Sequence, residues 1–424
     1  MKYRFVIGML FAVVFAAGTS AQSWFVRPEG SQSLNGSPEQ PFATIQQALD
    51  AAQDADTIVL LPGVYTGAGN YDLQSSGLSL TIRSSEPDNW DVVEATIIDP
   101  AGAGGIFVFE NTSALVLEGL TLQNAVKDAA FYDLPHGAAL FCDGVVATIR
   151  YCIFRNCVAA GLGGAIYFGD SQATVSHCIF AGNQSWDGGS LISDSGSNVK
   201  LEHCTIAGNT SVFYGGGVSC EFSSTLTTKN SIFWGNALAA PEGRGRQIFA
   251  GDSGIVQIDY TAVEEGLNGT DYNGQSLIIF GEGLIEADPQ FAFFDSDASS
   301  VLWDFRLKSA FGRWNPAIQA WVSDTETSPC INGGQPGSDY SRELWPNGRR
   351  ADAGAYGNTP HASLYGNIAD LDVSGRVDMT DMALLASVWL GDPVDYENFD
   401  GQTVVDAADL LILAENWLWE MPLL

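Results

Sequence analysis

The sequence predicts an all-β solenoid, a right-handed parallel β-helix with rungs of about 26 residues, followed by a small all-α module. Three observations lead there. One pattern recurs: Cys152-Ile153-Phe154, Cys178-Ile179-Phe180, Cys204-Thr205-Ile206 and Ser231-Ile232-Phe233 succeed one another at steps of 26, 26 and 27 residues. Each copy is preceded by glycines (Gly137, Gly163-Gly164, Gly188-Gly189, Gly215-Gly216-Gly217) and followed by an asparagine (Asn156, Asn183, Asn209, Asn236). The apolar runs between them are short, β-branched or aromatic, and lack a helical 3.6 period. A period in the twenties with Gly/Asn corners is the signature of stacked rungs, each unable to bury its apolar face alone.

Stacking has consequences for each column of residues. Rungs lie roughly 4.8 Å apart, the spacing of paired strands, so equivalent residues form ladders. The asparagines are expected at a corner, where Asn tolerates left-handed backbone and can chain side-chain amides. Cys152, Cys178 and Cys204 are expected as an inward ladder of free thiols. Cys142 and Cys220 share a column but are three rungs apart, about 14 Å, too far to bond. Seven cysteines do not suit a complete disulfide framework, and none has zinc spacing. Weaker repeats, from "LSLTIRSS" to "SLIIFGEGLIEADPQF", extend the predicted solenoid over residues 57–294.

Composition narrows the partners. The 424 residues carry 18 Lys and Arg against 50 Asp and Glu, a formal charge of −32. Such a field repels nucleic acid and anionic membranes and tolerates calcium. Lys2 and Arg4, the apolar run Phe5 to Ala17 and the small residues Thr19 to Ala21 predict a secretory signal over residues 1–21. A secreted or surface-associated monomer without membrane insertion is the expectation.

The most specific stretch outside the repeat is "WFVRPEGSQSLNGSPEQPFATIQQALDAAQDADTIVLLPGVYTG", Trp24 to Gly67. It resembles the opening of secreted pectate-lyase-like β-helix proteins. The resemblance implies an N-terminal cap over residues 22–56, with a helix Ile45 to Gln53 closing the solenoid, and a first rung from Asp56 to Tyr65. An amphipathic helix there would also shield an exposed strand edge. The family includes polysaccharide lyases, hydrolases, epimerases and chains of no established activity, so what it implies is a polysaccharide partner. Residues 295–365 resemble a terminal segment found after such helices. They are expected to cap the last rung, with Trp303, Trp314 and Trp321 packed over it.

"DLDVSGRVDMTD", Asp370 to Asp381, has the oxygen-rich spacing of a 12-residue calcium loop. Asp370, Asp372 and Ser374 take the first three ligand positions, Arg376 offers its carbonyl, and Asp378 and Asp381 take the ninth and twelfth. Gly375 stands at the sharp turn. A second copy places Asn398, Asp400, Gln402, Asp406 and Asp409 likewise, but has Thr403 where glycine is expected. Two loop–helix units within residues 366–420 resemble a dockerin type I module. The resemblance implies calcium binding and docking to a cohesin-like domain. Met379-Thr380 and Ala407-Ala408 stand where that family selects its partner, and the pairs differ.

For catalysis, two columns just ahead of the cysteines are polar. Arg150, Ser176, Glu202 and Lys229 form one; Tyr151, His177, His203 and Asn230 form the next. Arg150, His177, Glu202, His203 and Lys229 are the candidate set, since elimination from an acidic glycan needs a base and a cation near the uronate. The alternatives are a solvated ladder with no chemistry and, for one of the two histidines, a place at a corner rather than on the outer face. Trp186-Asp187 and Phe213-Tyr214 offer a second surface, neighbours in adjacent rungs, and Asp143, Asp170 and Asp187 are candidates for a hydrolytic acid pair. No GxSxG, HExxH or phosphate-binding loop is present. The chain thus reads as a polysaccharide-acting or polysaccharide-binding protein, possible lyase or hydrolase, or alternatively as a non-catalytic adhesin on the same scaffold.

Overall fold

The computed structural model describes residues 21–28, 35–75, 77–130, 133–389 and 404–421. The signal segment, and Asn398, Asp400 and Gln402 of the second loop, lie outside the described residues.

A rung shows how the sequence closes on itself. Ile166–Gly169, Gln172–Ser176, Ile179–Ala181 and Gln184–Asp187 are four short strands joined by tight corners. Within Gln172–Ser176, Ala173 and Val175 are buried while Gln172, Thr174 and Ser176 turn outward, the two-residue alternation of a strand with one face inside. Each strand pairs in parallel with its equivalents one rung before and after, giving four sheets. Sheet I has ten strands, from Ser23–Val26 to Leu277–Phe280. Sheet II has eight, from Gly63–Tyr65 to Ala262–Val263. Sheet III has five, from Val126–Lys127 to Ala237–Leu238. Sheet IV has eight, from Leu73–Gln74 to Thr270–Tyr272. The chain runs IV, I, II, III and back to IV. The helix Ile45–Ala51 starts at a capping box between Thr44 and Gln47 and buries Ile45, Ala48 and Leu49 in the same core as the rungs.

The corners are made by left-handed residues. Between sheets I and II these are Tyr151, His177, His203, Asn230 and Tyr260, at φ of 54, 51, 49, 52 and 43°. Between III and IV they are glycines; a Cβ on Gly163 (φ 64°) would lie 2.1 Å from the carbonyl oxygen of Ile166, so the turn admits nothing larger.

The asparagine column divides in two. Asn156 (φ 55°) aligns with Gly182, Gly208 and Gly235 and makes the left-handed turn. Asn183, Asn209 and Asn236 stand one place later, in the column of Cys157, and have no exposed surface to speak of. Asn183 Nδ2 donates to Asn209 Oδ1 at 2.9 Å, and Asn209 Nδ2 to Asn236 Oδ1 at 2.9 Å. The same oxygens accept from the backbone of the previous rung, Asn183 N to Asn209 Oδ1 at 3.0 Å. The inward thiol ladder is present: all seven cysteines are buried and free.

The segment expected to cap the last rung lies elsewhere. Residues 328–363 run along the corner between sheets I and II: Gln335 N donates to Asn230 Oδ1, Gly354 N to Asn230 O, and Ala355 N to Thr205 Oγ1. Trp303 packs with Phe294 and Phe305 near Gly208, at the next corner, between sheets II and III. Trp314 and Trp321 pair across a hairpin, and Trp314 stacks on His361. The described residues of the tail include two helices, Met379–Ser387 and Ala407–Glu415, around a small core of Leu371, Val377, Leu385, Val405 and Leu413. Among the described residues no helix is long and apolar enough to cross a membrane.

Replacing Asn209 by Ala strands the buried Asn183 backbone N–H and breaks two amide links. A loss of about 3 kcal/mol is expected, read as a lower urea midpoint at unchanged m-value. An unaltered midpoint would show that the ladder carries no load.

Candidate functional site

The register brings Arg150, Ser176, Glu202 and Lys229 into one outward column of sheet I, as the repeat implies. Its cations are already paired: Arg150 Nε meets Glu118 Oε1 at 2.5 Å, and Lys229 Nζ meets Glu202 Oε1 at 3.1 Å. The histidine column does not face solvent. Tyr151, His177 and His203 stack at 4.8 and 5.0 Å between ring centroids, and Asn230 Nδ2 lies 3.0 Å from His203 Nε2. Residues 328–363 cover them, with Arg342 Nη1 donating to Tyr151 Oη at 2.7 Å. Burial holds the imidazoles neutral, His177 pushed down to about 3 and His203 to about 4. They serve a corner and an internal contact, not an open surface. The expected open base at His177 and His203 is therefore corrected: the left-handed corner turns these rings onto one another and the C-terminal segment seals them.

The face that collects chemistry is the outside of sheet IV with the adjoining edge of sheet III. One column on the outer side of sheet IV runs Gln74, Val108, Phe141, Tyr167, Ile192, Ser219, Phe249, of which Phe141, Ile192, Ser219 and Phe249 are buried. The next carries Glu110, Asp143, Gly169 and Asp194, with Glu221 following Cys220 one rung on. Phe141 and Tyr167 stack at 5.1 Å, nearly parallel, and His136 stacks on Tyr167 at 5.1 Å. Trp186, half exposed, meets Phe213 at 5.0 Å, so the two loop aromatics are neighbours as their spacing predicts.

Beside these rings lie polar groups in unusual states. Tyr167 Oη donates to Asp194 Oδ2 at 2.8 Å, and Ser219 Oγ to Glu221 Oε1 at 2.5 Å. Burial, together with the nearby Asp187 and Asp194 charges, pushes Glu221 up to about 7. Burial likewise raises Asp187 to about 6 although it accepts from Tyr214 N at 3.0 Å. Asp143 stands exposed beside Tyr167, and Asp170 takes a corner (φ 44°), so Asp187 joins Asp194 and Glu221 rather than its expected partners. One rung lower, Lys127 sits under a cavity of about 340 Å³ lined by Asp72, Gln74, Glu110, Leu134 and Phe141. Its Nζ donates to His136 O at 3.1 Å and lies 5.4 Å from the Phe141 ring centroid; burial lowers it to about 8. Gly105 makes the room, since a Cβ there would come 2.4 Å from Lys127 Cε.

Lys127, His136, Tyr167, Asp194 and Glu221 were not legible as a site. Lys127 ends the first strand of sheet III, opposite Ala159 on the next rung, so its column carries no polar signal, and His136 comes from the irregular connection that follows. Asp194 and Glu221 do share the column of Asp143, a signal that a stricter rung alignment would reveal.

In the tail, Asp370, Asp372 and Asp381 converge, with one oxygen from each lying within 4.8 Å of the others. Asp370 oxygens accept from Ser374 N and Gly375 N, and Asp381 from Asp372 N and Asp378 N. Three carboxylates around a Gly375 turn (φ 82°) fit a hard cation that takes only oxygen ligands. Asp378 instead caps the helix through Thr380 N, and Ser374 Oγ donates to the Arg376 carbonyl. Asp406 and Asp409 repeat the capping box of Asp378 and Asp381 at the second helix.

Because the fold holds the Glu221 proton more tightly than the unfolded chain does, its stabilisation is full below the ordinary carboxyl range and is lost as pH rises through about 7. Glu221→Gln should match the parent Tm near pH 4 and exceed it by several degrees above pH 7. A difference that does not vary with pH contradicts this.

Comparison with known proteins agrees with the fold. Residues 78–276 match the family model described as a right handed beta helix region. No curated protein matches the sequence. Among solved structures the chain is similar to a pectate lyase, Pel9A, at 13% identity and TM-score 0.44, over 80% of this chain and 97% of that one. It is also similar to a rhamnogalacturonan lyase, at 15% identity and TM-score 0.43, over 62% of this chain and 73% of that one. A pectin methylesterase from Aspergillus niger follows at 12% identity and TM-score 0.37, over 64% and 88%. The parallel strand pairing and the match of residues 78–276 to the right handed beta helix region model agree on a right-handed parallel β-helix for the body of the chain.

Proposed function

We propose that this is an extracellular polysaccharide-acting protein that lays a glycan along the outer face of sheet IV. The observation that carries the reading is the run of stacked rings, His136, Tyr167 and Phe141, set between proton-holding carboxyls on one side and Lys127 on the other. Aromatic faces take the apolar faces of sugar rings, and polar side chains around them take hydroxyls. Glu221, raised to about 7, keeps a proton near neutral pH, the requirement for a general acid at a glycosidic oxygen, while Asp187, raised to about 6, is the more ionised of the two. Glu221 is assigned that role and Asp187 the supporting carboxylate. The carboxyl-rich wall favours a neutral glycan over a polyuronate.

A second reading, binding without cleavage, has its own support: Asp187, Asp194 and Glu221 expose only 8, 5 and 7% of their surface. The Arg150–Lys229 patch, and elimination through it, is the third, and the pairing of its cations weakens it.

A panel of neutral and acidic polysaccharides separates these readings. New reducing ends without ultraviolet absorbance, lost at least about a hundredfold in Glu221→Gln, match the proposal. Absorbance from unsaturated uronides that survives Glu221→Gln contradicts it. Retention on a polysaccharide column with neither product selects binding alone.

The tail is proposed as a calcium-ordered docking module, dockerin-like, for a cohesin-like domain. Asp370, Asp372 and Asp381 would hold the ion, and its charge would offset three clustered carboxylates. Met379, Thr380, Ala407 and Ala408 are exposed at the helix starts, where a partner could reach them. Calcium should raise the Tm of the tail transition and change the fluorescence of Trp389 and Trp417, reversibly with chelator. Asp381→Ala should abolish both effects; an equal response in that variant contradicts the assignment.

A further inference from the structure

The C-terminal segment holds a cavity of about 420 Å³ that the groove reading does not use. It lies at the corner between sheets I and II, across each rung from the edge where sheets III and IV meet. Asp339, Tyr340, Glu343, Trp345, Asn347 and Arg349 line it. We propose that this cavity binds a single neutral pyranose, or the end residue of a neutral glycan, as a second sugar site separate from the sheet IV groove.

Glu343 carries the argument. It is 95% buried, and its Oε1 accepts from Asp352 N at 2.8 Å and Asn358 N at 2.7 Å. Its Oε2 is buried without a hydrogen-bond partner among the described residues. A buried carboxyl oxygen left unsatisfied costs of order 1–3 kcal/mol, so a ligand that supplies a partner is rewarded. A sugar hydroxyl does this whichever protonation state the carboxyl takes, since it both donates and accepts. The remaining lining has the same character. Trp345 and Tyr340 offer ring surface, Asn347 an amide, and Arg349, whose guanidinium carbon lies 6.0 Å from the Trp345 ring centroid and which donates to Leu371 O at 2.7 Å, a held guanidinium. Two carboxyls against one guanidinium disfavour a uronate. The volume falls within the roughly 300–1,000 Å³ of small-molecule sites.

The test uses the full chain with calcium present. Glucose, galactose and mannose, with galacturonate as the charged comparison, are titrated and followed by saturation-transfer NMR and tryptophan fluorescence. The expected result is saturable binding of at least one neutral sugar, weakened at least tenfold in Glu343→Gln and in Tyr340→Ala, and unchanged in Glu221→Gln. Tyr340 is half-buried, so its variant decides the matter if Glu343→Gln does not fold. No saturable neutral sugar, binding of galacturonate alone, or binding that survives both variants overturns the proposal. So does binding lost in Glu221→Gln, which would place the sugar in the groove. A groove that fails the polysaccharide panel leaves this result untouched, so the two readings fail separately.

Discussion

One residue at each bend of the rung must adopt left-handed backbone, and everything else in the solenoid depends on it. A chain of L-residues resists that conformation by about 1–2 kcal/mol per non-glycine residue. At the corner between sheets III and IV the cost is avoided with glycine. At the corner between I and II it is met with Tyr151, His177, His203, Asn230 and Tyr260, and the offset comes from stacking. Tyr151, His177 and His203 lie in succession about 5 Å apart, the rung spacing itself, and Asn230 Nδ2 continues the column 3.0 Å from His203 Nε2, so most of the strained residues are packed onto a neighbour. Asn183, Asn209 and Asn236 lock the following bend by a different means, each amide serving two rungs at once.

That constraint also decides where chemistry can sit. The aromatic corner is closed by residues 328–363, which turns its histidines into buried neutral rings. Sheet IV has no such cover from the C-terminal segment, and its outward columns are free to hold side chains that rung stacking does not require. Glycines at 169 and 251 open gaps in the carboxyl column: a Cβ at 169 would crowd Asp143 and Tyr167, and one at 251 would crowd Glu221. Asp194 and Glu221 are thereby left side by side in a dry setting. The raised Glu221 pKa follows from this burial, reinforced by the nearby Asp187 and Asp194 charges.

The solenoid was legible because its determinants repeat. The Cys/Ser-Ile/Thr-Phe/Ile pattern placed the columns of Arg150 and of His177 correctly, and the adjacency of Trp186 and Phe213 followed from the same alignment. Direction was harder. An outward polar residue and a corner polar residue look alike in sequence, and His177 and His203 proved to be corner residues. The asparagines show the same limit, because Asn156 and Asn183 look equivalent yet differ by one place in register. The C-terminal segment has no period, so nothing in its letters says that it lies along the flank and not over the end. Lys127 stands in the first strand of sheet III and His136 in the connection after it, and only the folded chain brings them to Phe141 and Tyr167. In the tail the spacing alone marked the oxygen cluster, since Asp370, Asp372 and Asp381 sit within one short loop.

The central claim is that a glycan lies on sheet IV. Hydrogen exchange of the full chain, with and without a polysaccharide that it retains, tests this most directly. The account predicts slower exchange in residues 127–143, 184–194 and 213–221 when glycan is present, with the strands of sheet I unchanged. Protection confined to residues 146–150, 172–176 and 198–202 of sheet I, with none on sheet IV, would contradict it.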